Sequence, residues 1–168
     1  MKRLAVLALT LALALCLAAC GGGGAGASAA DPVALGKSLS GQAASLPGME
    51  TVSSESEDGE QLFKYLSDLD YGKVAGYYMS YAAAGTAEEI AVIRLRDSAD
   101  AAEARASLER HLESRRGLFR VYDPEQAAML EKAALVSEGD VVALIICENA
   151  SDLAGSLRSE LRLSLIHI

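Results

Sequence analysis

Two histidines and three cysteines are the whole supply of imidazole and thiol in this chain of 168 residues. His167 lies next to the end, so His111 would have to serve alone as the base for any serine or cysteine nucleophile. No G-x-S-x-G stretch occurs, which removes the strained elbow that lifts a hydrolase serine out of its sheet. One histidine, one strand thiol and no close Cys or His spacing fall short of a four-ligand zinc site. The acidic stretch around Gly59 fails as a calcium loop, because Ser54, Ser56 and Asp58 fit the early ligand positions but Tyr65 stands where the bidentate glutamate must be. The expectation is therefore no catalytic residue, no metal and no cofactor.

The remaining polar candidates suit contact better than chemistry. Tyr77, Tyr78 and Tyr81, with Tyr65 and Tyr71 nearby, could form an exposed row that stacks on sugar rings or peptide. The competing reading is that alternating Tyr and Met belong to a half-buried strand, and it is the favoured one. Arg105, Arg110, Arg115, Arg116 and Arg120 make one segment basic toward its end, which suits a helix C-terminus. Glu103, Glu109 and Glu113 lie within helical reach of them, so a solvated face is favoured over an anion site. Tyr77, Tyr78, Tyr81, Arg115 and Arg116 are the candidate binding surface. His111 adjoins Leu112 on the same amphipathic segment, where a histidine at the core edge or in solvent is the ordinary outcome. Cys147 closes the apolar run VVALIIC, and a buried, inert thiol is expected there, because reactivity needs exposure and nearby positive charge.

Those side chains need elements to hold them. Asp31-Pro32 reads as an N-cap followed by a proline in the first helical position, with Val33, Leu35, Leu39 and Leu46 as an apolar face and Pro47-Gly48 as the stop. Residues 51–60, TVSSESEDGE, read as a polar loop. Leu62, Phe63 and Leu66 suggest a short helix. Residues 74–83 alternate as a strand with Tyr77, Met79 and Tyr81 on one face. A turn at Ala84-Gly85-Thr86 leads into a second strand over residues 89–95. Asp97 or Ser98 caps a long helix whose Ala101, Ala104, Leu108, Leu112 and Phe119 recur at threes and fours. Asp123-Pro124 repeats the opening device for another short helix. Residues 133–137 and 141–147 form a hairpin across Glu138-Gly139-Asp140, and Asn149 or Ser151 caps the last helix.

IAVIRLRDSAD, residues 90–100, lines up without gaps on VVALIICENAS, residues 141–151. Each copy follows a turn and a strand. The fold expected is α+β: a four-stranded antiparallel sheet made from two strand-strand-helix units, with helices packed on one face, plus N-terminal helices.

The beginning of the chain addresses it. MKR followed by an apolar stretch over residues 4–19 is a signal sequence, shorter than the roughly 20 residues that span a bilayer. Leu17-Ala18-Ala19-Cys20 resembles the lipobox of bacterial lipoproteins, in which the cysteine sulfur receives diacylglycerol and becomes the new first residue. Palmitate-type acyl chains on Cys20 would then anchor the protein, since more than one chain is needed to hold firmly. Cleavage after Ala27-Ser28-Ala29 is the alternative and would release a soluble protein. Residues 20–30 after the signal (1–19) read as the lipidated cysteine and a flexible Gly/Ala/Ser tether. Residues 31–162 are one domain. Residues 163–168, LSLIHI, match the translation of a transposon-based sequencing adaptor end and are set aside from fold reasoning as an expected scar. Cys147 is then the only thiol beyond the anchor, and no internal disulfide forms. The formal charge of −8 becomes more negative once Lys2 and Arg3 leave. An acidic body disfavours nucleic acid as a partner.

Glu88-Glu89-Ile90-Ala91-Val92, the long helix with Leu108 and Arg110, Tyr122-Asp123-Pro124-Glu125-Gln126 and the strand from Asp140 to Ile146 together resemble a family of small bacterial lipoproteins known as domain of unknown function 4358. The resemblance covers most of residues 31–158. The acidic stretch at 51–60 and the glycine-rich tether depart from it. It implies a Gram-positive-type envelope, with the domain on the extracytoplasmic face of the cell membrane, and carries no activity or functional residue with it. The expected function is a membrane-anchored, extracytoplasmic binding or interaction module without catalysis, with an envelope protein or cell-wall component as partner. Two alternatives stay open: an extracytoplasmic enzyme whose acidic residues, among them Glu88, Glu89 and Glu125, converge in three dimensions, and a small solute-capture lipoprotein working with a transporter.

Overall fold

A computed structural model describes residues 31–166. The predicted signal, Cys20, the tether and His167 and Ile168 lie outside them. Helix α1 spans Pro32–Gln42, and the Asp31 carboxylate accepts from the backbone of Val33 at 3.1 Å and Ala34 at 3.3 Å. The helix stops short of Leu46 because a distant side chain takes over its last groups. The Asn149 amide oxygen accepts from Ala44 N at 2.8 Å, and its Nδ2 donates to the Gln42 carbonyl at 3.1 Å. Asn149 thus caps the end of α1 across the fold rather than only opening the last helix.

The sheet has five strands rather than four: β1 Met49–Ser53, β2 Val74–Ala82, β3 Glu89–Leu95, β4 Ala134–Glu138 and β5 Val141–Ile146. Their order is β1-β2-β3-β5-β4, with every neighbour antiparallel. The extra strand, β1, falls partly where the sequence reads as a loop. It is an edge strand in which Glu50 and Thr51 are exposed and only Val52 supplies an apolar side chain to the main core. Five residues with one core contact leave no period-2 pattern to find.

The helices pack on both faces, which also corrects the one-faced expectation. Helix α2 (Gly59–Phe63) and helix α3 (Ala101–Tyr122) cover one face, where Phe63, Ala104, Leu108, Leu112 and Phe119 meet Tyr77, Met79, Ile93 and Leu144. Helix α1 and helix α5 (Ala150–Ile166) cover the other, where Leu35, Leu39, Leu153 and Leu157 meet Ile90, Val92, Ala143 and Ile145. Helix α4 (Pro124–Glu131) connects α3 to β4. The cause is visible in β5, whose six residues VVALII are all buried. A strand apolar on both sides needs a layer on each.

The repeated stretch is real in the strands and ends there. Val92 and Ala143, equivalent in the two copies, are also each other's cross-strand partners. After β3 the chain passes through a one-turn helix at Ser98–Asp100, where the Asp97 carboxylate accepts from Ala99 N, before α3 begins. After β5 only residues 147–149 intervene, and α5 goes to the opposite face. The difference in connection separates the two units.

The segment between α2 and β2 is pinned to α3 by a small polar network. Arg110 donates to both oxygens of Asp68 at 3.0 and 2.7 Å, and Ser107 Oγ donates to the same carboxylate. Arg110, and then Ser107, hold the Asp68 carboxyl down at about 2. Because the folded value lies below the unfolded one, the contribution is complete above about pH 4 and is lost as pH falls toward about 2. Asp68→Asn should flatten the acid limb of a urea-midpoint-versus-pH profile in that window. The side chain is 63% exposed, so the change is expected to stay below about 1 kcal/mol.

Candidate functional site

One row of side chains crosses three strands on the α3 side of the sheet: Glu50 of β1 pairs with Tyr81 of β2, which pairs with Glu89 of β3. Val52 and Met79 form the next pair in the same direction. Between α2 and α3, Val52, Met79, Tyr81 and Glu89 line a groove of about 410 Å³, with Leu62, Tyr65, His111 and Arg115 as its remaining walls. Tyr65 is 74% exposed at the mouth.

Glu89 makes the groove unusual, because a carboxylate only 2% exposed must be paired. His111 and Arg115, one helical turn apart on α3, both reach it. His111 Nε2 lies 2.9 Å from Oε1 and Arg115 Nη1 lies 3.3 Å from Oε2. Against an ionised carboxylate, which can only accept, the imidazole donates through Nε2. Arg115 also donates through Nη2 to the carbonyls of Thr86 and Ala87, at 3.3 and 3.1 Å, and stacks 5.5 Å above the Phe119 ring. Its Nε is the one buried side-chain nitrogen or oxygen among the described residues without a hydrogen-bond partner. At the rim Tyr81 donates to Glu50 at 2.8 Å, and that bond is the main reason its phenol is held above the ordinary tyrosine range.

Residues 49–147, from β1 to the end of β5, match the family described as "Domain of unknown function (DUF4358)". The chain belongs to that family. No curated protein and no solved structure matches it. Every residue of the groove lies inside the DUF4358 match. Several of the residues that carry the resemblance are architectural in this DUF4358 domain. Asp123 accepts from Glu125 N and Gln126 N to start α4, Gln126 Oε1 accepts from Ala87 N at 2.7 Å, and Asp140 accepts from Arg94 Nε at 3.1 Å.

The sequence-predicted surface is only partly assembled. Tyr77 and Tyr78 point to opposite faces and both are buried, so the three tyrosines do not form an exposed row. Tyr77 packs edge-on against Phe63 and Tyr71 and donates to the Gly59 carbonyl at 2.6 Å. Burial pushes its phenol up to about 12. Tyr78 lies under α1, with its hydroxyl 3.2 Å from Ser40 Oγ. Tyr81 alone of the three lines the groove, which Arg115 lines as well. Arg116 points elsewhere, to the Leu130 carbonyl at 3.1 Å and to Glu113 and Glu131. Arg105 pairs with Glu109, Arg110 with Asp68, and Arg120 with Glu131. The basic segment is thus already neutralised within the domain.

Cys20 lies outside the described residues. Cys147 is buried, and desolvation raises its thiol, as expected of an inert cysteine. The three acids suggested for an enzyme divide between two cavities. Glu89 faces the groove, whereas Glu88 and Glu125 line a separate 270 Å³ cavity beside Cys147, Glu148 and Lys132. Sequence reasoning missed the contact between Glu89 and His111. Its one local signal is a charge heading the apolar strand EIAVIRL.

Proposed function

We propose that this protein is a lipoprotein tethered through acyl chains on Cys20 to the outer face of the cell membrane, and that its domain is a non-catalytic binding module whose ligand seat is the β1–β2–α3 groove. The observation that carries the binding role is a mainly apolar groove of small-molecule size that ends on a buried Glu89 paired with the part-buried His111. Pockets for small ligands combine apolar walls with a few fixed polar groups in this way. The anchor rests on the leader and on the Leu-Ala-Ala-Cys stretch; no described helix is long and apolar enough to cross a membrane. A solute-capture role beside a transporter would use the same groove, and its size favours a small solute over a cell-wall polymer. An enzyme built on Glu88, Glu89 and Glu125 together has less support, because those residues do not share a cavity.

The test has two arms. Cys20→Ala should move the protein out of the membrane fraction, and mass spectrometry of the native protein should find an acylated amino-terminal cysteine; an unmodified terminus beyond residue 20 refutes the anchor. A thermal-shift screen of small envelope metabolites should give hits that disappear in Leu62→Trp, which fills the groove from its partly exposed wall. Hits indifferent to that change, or turnover of a metabolite by the wild type, refute the binding module.

A further inference from the structure

The ladder fixes which backbone groups of the edge strand β1 face outward. Ser54 N donates to the Tyr77 carbonyl and Ala83 N to the Gly48 carbonyl, so residues 48, 50, 52 and 54 turn their N–H and C=O groups toward β2. Met49, Thr51 and Ser53 therefore point theirs away from the sheet. Ser53 is closed by its own turn: its N–H donates to Ser56 Oγ at 3.0 Å and its carbonyl accepts from Ser56 N at 3.0 Å. The backbone N–H and C=O groups of Met49 and Thr51 have no hydrogen-bond partner among the described residues. The opposite edge is treated differently. By the same alternation the Leu135 carbonyl of β4 points outward, and it accepts from Arg158 Nη2 at 3.1 Å, with α5 packed beside the strand. Proteins usually cover or blunt an edge in this way, and β1 is left open.

We infer that β1 accepts a further strand: an extended segment of a partner protein, antiparallel to β1, with a basic side chain opposite Glu50. Donors and acceptors repeated at 49 and 51 match the main chain of such a strand, which takes affinity from backbone bonds and specificity from alternate side chains. The residue between those two bonded positions falls opposite Glu50 as a non-hydrogen-bonded pair, the kind whose side chains lie closer. Glu50 is exposed, and Tyr81 donates only to its Oε2. The other oxygen is left for an ammonium or guanidinium on the incoming strand.

Two occupants nearer at hand fit less well. A second copy paired about Glu50 would set two carboxylates opposite each other, and one paired about Thr51 would need the groups of Ser53 that Ser56 already holds. Residues 21–30, which lead into α1, carry no basic side chain. The inference is independent of the groove reading, since it uses the outer edge of β1 and not the walls between α2 and α3.

Fluorescence anisotropy of a dye-labelled Thr-Val-Thr-Lys-Thr-Val-Thr peptide, titrated with the full chain in nanodiscs and with empty discs, tests it. The peptide is expected to bind about fivefold or more tighter than its counterpart with glutamate in place of lysine, and to slow amide hydrogen exchange at Met49 and Thr51. Glu50→Lys should reverse that order. Thr51→Pro removes an outward N–H at an edge position where proline is tolerated, so it should keep the wild-type urea midpoint and lose the peptide. A peptide N-methylated at the threonine on each side of the lysine cannot donate to β1 and should fail on the wild type. No binding to the wild type, an order that Glu50→Lys leaves unchanged, or an N-methylated peptide that binds as well as its parent overturns the inference. So does slow exchange at Met49 and Thr51 without peptide: if sedimentation then shows a dimer, a second copy holds the edge, and if it shows a monomer, the chain's own leading segment does.

Discussion

Gly36→Ala is expected to lower the unfolding free energy by about 3 kcal/mol, the upper end of what overpacking a core costs. Gly36 lies in α1 directly over the ring of Tyr78, and a Cβ there would overlap three of its ring atoms. The ring cannot swing aside cheaply, because Tyr78 is 3% exposed and its hydroxyl is anchored 3.2 Å from Ser40 Oγ on the same helix. The helix must lift, which also loosens Leu35 and Leu39 from β3 and β5. Urea unfolding should show a lower midpoint at an unchanged slope. Two comparisons separate the clash from helix propensity. Gly117→Ala, in α3 with open space where the Cβ would go, should stabilise by up to about 1 kcal/mol. Gly36→Ala combined with Tyr78→Ala should cost less than the sum of the single changes, since removing the ring removes the clash. Equal losses at Gly36 and Gly117 would refute the close approach.

How much of this was legible in the sequence depends on how local each signal is. The bounds of β3 were readable to the residue, and β5 nearly so, because their apolar runs begin and end on charge or turn residues. The capping aspartates 31 and 123 were readable because the cap lies within three residues of the groups it satisfies. The two-sided sheet was implicit in the unbroken VVALII but was overridden by the duplicated pattern, which suggests one layer if both helices follow their strands in the same way. Connection length decided otherwise. β1 was not legible, since what makes it a strand is the partner edge of β2 and not its own five residues. The groove was less legible still: His111 and Glu89 are 22 residues apart, and Tyr81 joins them only through strand register. The exposed tyrosine row gives way to the favoured half-buried strand for a simple reason. Adjacent residues on a strand face opposite ways, so Tyr77 and Tyr78 could never share a surface.

Glu89→Ala is expected to cost about 3 kcal/mol, because it leaves the Arg115 guanidinium beside buried carbonyls with no counter-charge and frees the His111 ring. Glu89→Gln should cost less, since the amide oxygen still accepts from one of the two partners. That ordering alone would also fit a cluster present purely for stability. Replacing the whole cluster, as Glu89→Met with His111→Leu and Arg115→Met, distinguishes the two roles. A buried charge network exchanged for apolar side chains of similar volume is often neutral or stabilising by about 1–4 kcal/mol. If the cluster exists for ligand recognition, the triple variant should unfold at or above the wild-type urea midpoint while losing the thermal-shift hits of the groove. A triple variant as unstable as Glu89→Ala would make the cluster a structural device. The polar wall would then be there to hold α3 to the turn before β3, through the Arg115 contacts with Thr86 and Ala87. Placement favours recognition, because all three residues of the cluster line the groove instead of being sealed within the core.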